Sequence, residues 1–219
     1  MSYDSYAAAR SRVLTSASRR IPAASAASQA RALGLWHKGQ VRVANDAQFG
    51  LVLDLGVFAP VGGHSAALER EAKAGEHTVE EAKVLDALQA ARFALFRVEG
   101  AHPDGGVLAR DLLRGQDIRL EDRNLAKPEM LHRGFAGRLM TLDGYAMTCG
   151  ALAGLSDVVI EELLGRAAPV EPSPPELPML SPLMEEDVLA LRSAALAEDF
   201  VARVYRASLR HGMMGNLPA

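Results

Sequence analysis

The chain has 219 residues, 49% hydrophobic and 23% charged, with a net charge of −3, enough to bury one substantial core, or two small ones, without disulfide or metal support. A single cysteine, Cys149, excludes an internal disulfide framework and a cysteine-cluster zinc site. No apolar run approaches the roughly 18–20 residues that cross a bilayer, and Arg10 and Arg12 interrupt any apolar secretion-signal core, so a soluble, cytoplasmic protein without a membrane partner is expected.

Charge is unevenly placed along the chain. Residues 1–42 carry seven Lys/Arg against Asp4 alone, whereas residues 43–91 sum to −5. A basic head can steer a polyanion or an acidic partner. It can equally fold against the protein's own acidic surface, and the spacing of its arginines, which form no dense run, favours that second reading.

In chain order, residues 3–19 suit an amphipathic helix, and Ile21-Pro22 breaks it because proline disfavours helical geometry at the residue before it. Ser25 or Ser28 then caps a short helix ending at Gly34, and Leu35–Gly39 reads as a turn with Trp36 packed where head meets body. The run Phe49–Phe58 is apolar on nearly every side, so it is a buried helix or a buried strand; the cap Asn45-Asp46 favours helix. Pro60–Gly63 is a loop, from which Ser65 opens a short helix to about Lys73. Thr78-x-x-Glu81 is a capping box for a helix with Val79, Ala82, Leu85 and Leu88 on one stripe.

From Arg92 to Leu155 the texture changes to short strands. Phe93–Val98, Val107–Arg110, Asp117–Leu120, Phe135–Met140 and Tyr145–Thr148 alternate with the glycine turns at Gly105-Gly106, Gly115 and Gly144. Ser156-Asp157 caps a helix to Leu164. Six prolines between 169 and 182 make a semi-rigid spacer, and Ser181-Pro182 starts a last helix over Leu183–Leu209. Its apolar stripe must dock, on its own domain or on a second subunit.

Chemistry-bearing motifs are sparse. Gly62-Gly63-His64-Ser65 at a helix start can form an anion site, since loop N–H groups and the helix dipole both favour negative charge. Asp54 lies inside an apolar run and needs a partner, such as an arginine of the head, or else a solvent-facing position. Cys149 is a nucleophile only if a histidine meets it; otherwise it is a small buried hydrophobe. Arg110, Arg114, Arg119 and Arg123 in the strand region can follow a phosphate backbone if they share a face. The six histidines have no metal-ligand spacing. His102-Pro103-Asp104 resembles the tripeptide of J-domain co-chaperones, which there joins two helices; here it follows a strand and precedes Gly105-Gly106, as turn chemistry does.

These readings predict an α+β protein. A helical region (1–91) packs on a five-stranded antiparallel sheet or small open barrel (92–155), followed by a short helix (156–168), a proline-rich linker (169–182) and a C-terminal helix (183–219). No metal or cofactor is implied. The expected function is that of a non-enzymatic protein-binding or assembly module, with a protein partner or self-association. Two alternatives are a nucleic-acid-binding module that uses the head and the strand arginines, and an enzyme or binder of a small anion at Gly62–Ser65.

Overall fold

The structure, a computed structural model, describes residues 2–60, 63, 65–166 and 176–214. Helix α1 (Tyr3–Ser18) starts where the Ser2 hydroxyl accepts the Ser5 N–H, and it buries Tyr6, Ala9, Val13 and Ala17, one stripe at helical spacing. Helix α2 (Ala23–Ala32) begins earlier than the serines suggest. Pro22 takes the cap position in extended geometry, and Ser25 is buried inside the helix instead of capping it. Proline has no side-chain acceptor, so the first-turn N–H groups of α2 receive no side-chain cap from it.

The expected turn at Leu35–Gly39 is a minimal hairpin, β1 (Trp36–His37) with β2 (Gln40–Val41). Lys38 and Gly39 both adopt positive φ at its tip, as a tight two-residue hairpin turn requires. Trp36 lies under the Arg31 guanidinium, 4.4 Å from the ring centroid.

The apolar run is helical. In α3 (Asp46–Phe58) the Asn45 side chain accepts the Gln48 N–H at 2.9 Å. Helix α4 (Ala67–Ala74) starts after Ala66, so Ser65 does not open it. In α5 (Val79–Gln89) both capping-box bonds form, at 3.1 and 3.2 Å. Its buried face is Val84, Leu85, Ala87 and Leu88; Val79, in the first turn, stays 75% exposed.

Five strands follow: β3 (Arg92–Ala101), β4 (Val107–Asp111), β5 (Gln116–Leu120), β6 (Gly134–Leu142) and β7 (Tyr145–Leu155). They close into a barrel in the order β3-β4-β5-β7-β6. Every neighbouring pair is antiparallel except β5 with β7, which meet in parallel through Leu120 and Ala146. The α+β class and the five-strand count agree with the sequence; the parallel closing rung makes the sheet mixed. His102-Pro103-Asp104 sits in the β3–β4 connection, where the His102 ring accepts the Asp104 N–H.

Two apolar clusters result. One, around Phe96 and Phe135 with ring centroids 5.8 Å apart, joins the barrel to α2, α3 and the C-terminal helices. The other packs α1, α4 and α5 on Met140, Leu142, Met147 and Cys149 at the far ends of β6 and β7. Helix α3 contributes to both.

After α6 (Asp157–Leu163), residues 167–175 lie outside the described residues, and with them the first part of the proline-rich linker. Residues 176–182 run along the barrel instead of standing off as a spacer. Leu177 and Leu180 are buried, Leu180 N–H donates to His132 O at 2.9 Å, and Ser181 bonds Asp157. Gly134 admits this segment, since a Cβ there would lie 2.5 Å from the Leu180 side chain.

The expected single C-terminal helix is two helices, α7 (Glu185–Ala194) and α8 (Phe200–Arg210). Leu191 and Phe200 are both buried, yet at about 100° per residue they would point to opposite sides of one continuous helix. The break lets both face the core. Phe200 and Tyr205 of α8 then meet Phe93 edge-on, at 6.2 and 5.5 Å.

Candidate functional site

The site is built on an irregularity in one strand. Gly137 pairs with Leu152, but Leu139 pairs with Thr148, so Cys149-Gly150-Ala151 face Arg138 alone. This bulge bends β7 and re-aims its side chains, and Gly150 at its centre has φ +116°, which favours glycine. Opposite the bulge, Arg138 donates to Asp54 Oδ2 at 3.2 Å and lies over the Phe58 ring at 4.6 Å. Tyr205 of α8 donates to the same oxygen at 3.0 Å. Asp54 is 6% exposed, and its carboxylate therefore finds its partner in the barrel, not in the basic head as one sequence reading had it, nor in solvent.

Burial governs the titration of this group. It pushes the Asp54 carboxyl up, opposed by Arg138 and the Tyr205 hydroxyl. The Tyr205 phenol is raised well above its ordinary value by burial and by the Asp54 charge. Burial, aided by Asp54, also pushes the Cys149 thiol up to about 12. Cys149 is thus a protonated, buried thiol at neutral pH, and the thiolate is the reactive form.

Between this bulge and the helices lies a cleft of about 740 Å³. Helix α1 contributes Leu14, Thr15 and Ser18 to one wall. Helix α3 contributes Asp46, Gly50, Leu53 and Val57, a stripe at i, i+4, i+7 and i+11, with Asp54 beside it. Thr148 to Leu152 of the bulge form the third side, and Asp122 and Asn124, following β5, close one end. Asp122 is held by backbone N–H groups of Asn124 and Leu125 and by the Thr148 hydroxyl at 3.0 Å. The volume is typical of small-molecule sites, which pair apolar walls with a few placed polar groups.

The motifs singled out from the sequence lie elsewhere, Asp54 and Cys149 excepted. Gly62 and His64 fall outside the described residues. Gly63 has φ +78°, and the Ser65 carbonyl accepts from Arg70. Arg110 and Arg119 share the outer face of the β4–β5 pair, where Arg110 faces Asp117 at 2.9 Å and Arg119 faces Glu121 at 2.9 Å. Arg114 pairs with buried Asp111 beside Arg92, and Arg123 reaches across to Asp4 of α1 at 2.7 Å. The four are not gathered into one row, and each is matched by a carboxylate. Among the described residues no group of three His, Cys, Asp or Glu side chains is placed to hold a metal ion, and no helix is long and apolar enough to cross a membrane.

Sequence reasoning missed the α1 and α3 stripes as cleft walls, along with Asp122. The available signal was Gly150 inside a strand pattern, which marks a bulge. No curated protein and no solved structure matches the chain. A family model described as a family of unknown function (DUF7986) matches residues 11–170, and the chain belongs to that family.

Proposed function

For this member of a family of unknown function we propose a non-enzymatic binding role, centred on the cleft between α1, α3 and β7 and directed at a small, largely apolar ligand. The observation that supports it most is the cleft itself, about 740 Å³ with a strand bulge on one side and a buried carboxyl at its edge. The Asp54 carboxyl at its edge is engaged in holding the fold through Arg138 and Tyr205, and its one thiol is held protonated.

Gly50 offers the test, because it lines the cleft and carries no side chain on the wall that faces Ala151. Small, largely apolar ligands that raise the unfolding temperature in a thermal-shift screen should bind the native protein in calorimetric titration. Gly50→Leu, whose new side chain fills the space toward Ala151, should abolish their binding while the protein stays folded. Binding that is unchanged in Gly50→Leu would sink the reading.

A second reading, assembly through a protein contact, is favoured by one observation. Helix α7 buries only Leu191, while Leu189 is 56% exposed and Leu196, just past its end, is 87% exposed. Contact surfaces are built from large exposed apolar side chains of this kind.

A further inference from the structure

Helix α7 buries Leu191 and turns its other side outward, where Glu185, Glu186, Leu189, Ala190, Arg192 and Ser193 are all exposed. At about 100° per residue, Glu185, Leu189 and Arg192 fall within roughly 60° of one another, so they form one stripe. Leu196, in the turn that follows, is 87% exposed. Along the stripe runs a groove of about 340 Å³ between α7 and the outer face of β3 and β4, with Leu112, Pro182 and Leu183 in its walls. The stripe carries opposite charges at its two ends. Asp187 is taken by Arg166, whereas Glu185 has no cationic partner among the described residues. Arg192 is fixed by its Nε, which donates to the Leu113 carbonyl, and has no carboxylate partner among the described residues.

We propose that this stripe is a two-fold contact, packed antiparallel on the same stripe of a second copy of this chain. The inference rests on the assembly reading of α7. A two-fold interface has to be complementary to itself, and the order acid, leucine, base is so in one orientation only. With the second helix reversed about Leu189, and at about 1.5 Å per residue, Glu185 of each copy comes within one residue's rise of the other's Arg192. Both pairs lie on the same edge of the seam, because Glu185 and Arg192 are seven residues apart. Leu189 then meets Leu189 between them, and each Leu196 is carried toward the start of the other helix, where Leu183 lines the groove. A parallel copy would set Glu185 on Glu185 and Arg192 on Arg192. A partner of uniform charge would match one end of the stripe and meet like charge at the other.

Light scattering coupled to size exclusion tests this on the full chain, which should show about twice its single-chain mass of 23.4 kDa. Glu185→Arg and Arg192→Glu each place like charges opposite one another at both contacts, and each should weaken the dimer about tenfold or more. Mixed in equal amounts, the two variants should dimerise again, because each supplies the charge that the other lacks. Arg192→Glu also gives up the bond to the Leu113 carbonyl, so its thermal unfolding is followed alongside; Glu185→Arg removes no hydrogen bond among the described residues and is decisive alone. A dimer that Glu185→Arg leaves equally tight, or folded variants that stay monomeric when mixed, overturn the antiparallel pairing. If Leu189→Glu nevertheless dissolves that dimer, assembly at α7 survives the failure. A monomer from which Leu189→Glu releases a different protein overturns the second copy and leaves assembly in place; a monomer with nothing bound overturns both.

Discussion

At Asp54 one carboxylate oxygen ties together three elements: α3, which carries it, β6 through Arg138, and α8 through Tyr205. Removing one partner of a buried pair strands the other charge, which typically costs about 3–5 kcal/mol, whereas replacing both by apolar groups can be neutral. Arg138→Met should therefore lose stability in that range by urea unfolding at neutral pH, and Asp54→Leu/Arg138→Met should lose less than Arg138→Met alone. A loss below about 1 kcal/mol in the single variant would mean that the pair is not a structural tie. The sequence does reveal that a carboxylate in an apolar run needs a partner. It does not reveal which, because Arg138 sits 84 residues away and faces Asp54 only once a three-residue bulge has formed opposite it. The same bulge places Cys149 in the cleft wall, and nothing local to Cys149 announces that.

Elements whose ends are fixed by nearby side chains are the ones readable in advance. Asn45 and the Thr78/Glu81 box satisfy backbone groups within one turn, so their signal is complete in four residues. The α7–α8 break is different in kind: it answers to the position of the core relative to Leu191 and Phe200, which only the assembled barrel defines. The basic head shows how charge joins elements. Arg12 of α1 pairs with Glu81 of α5, and Arg20, just after α1, pairs with Glu71 of α4. The Arg12 hydrogen bond and the Thr78 N–H hold the Glu81 carboxyl below its ordinary value. Burial acts to raise Glu71, but its hydrogen bonds, chiefly from Arg20, outweigh that and leave it lowered. For both groups the folded state releases its proton more readily than the unfolded chain. The stability they bring is complete above the ordinary glutamate value of 4.5 and is lost as pH falls through the depressed folded values. The urea midpoint should thus drop as pH is lowered from 5 to 3, on the order of the usual carboxylate range, and Glu81→Gln should flatten part of that drop. A midpoint whose pH profile is the same in both proteins would show that the pair contributes nothing.

At the scale of the whole molecule, the C-terminal helices are unequal. Helix α8 is part of the main core, with Phe200, Val204 and Tyr205 buried against the barrel, and its removal would open that core. Helix α7 is held by Leu191 and by Arg192, which donates to the Leu113 carbonyl. If α7 is an assembly surface, Leu189→Glu/Leu196→Glu should reduce the molar mass seen by light scattering, or release a co-purifying protein, and shift stability by no more than about 0.5 kcal/mol, as surface changes do. A monomer in both cases, with nothing released, removes the assembly reading. Of the head's seven Lys/Arg, Arg12 and Arg20 pair with Glu81 and Glu71 of the acidic segment 43–91.

The barrel's single parallel rung leaves a seam with two unlike borders. Beyond Leu120–Ala146 the strands β5 and β7 no longer pair, so Gln116 to Arg119 pair with β4 on one side only. An unguarded border of that kind recruits a strand from another molecule and seeds aggregation. Here it is four residues long and carries Asp117 and Arg119, a length and charge that discourage such recruitment. The opposite border, β7, is met by α3 and α8. The two borders of the seam are thus guarded by different means, shortness and charge on one side and two helices on the other.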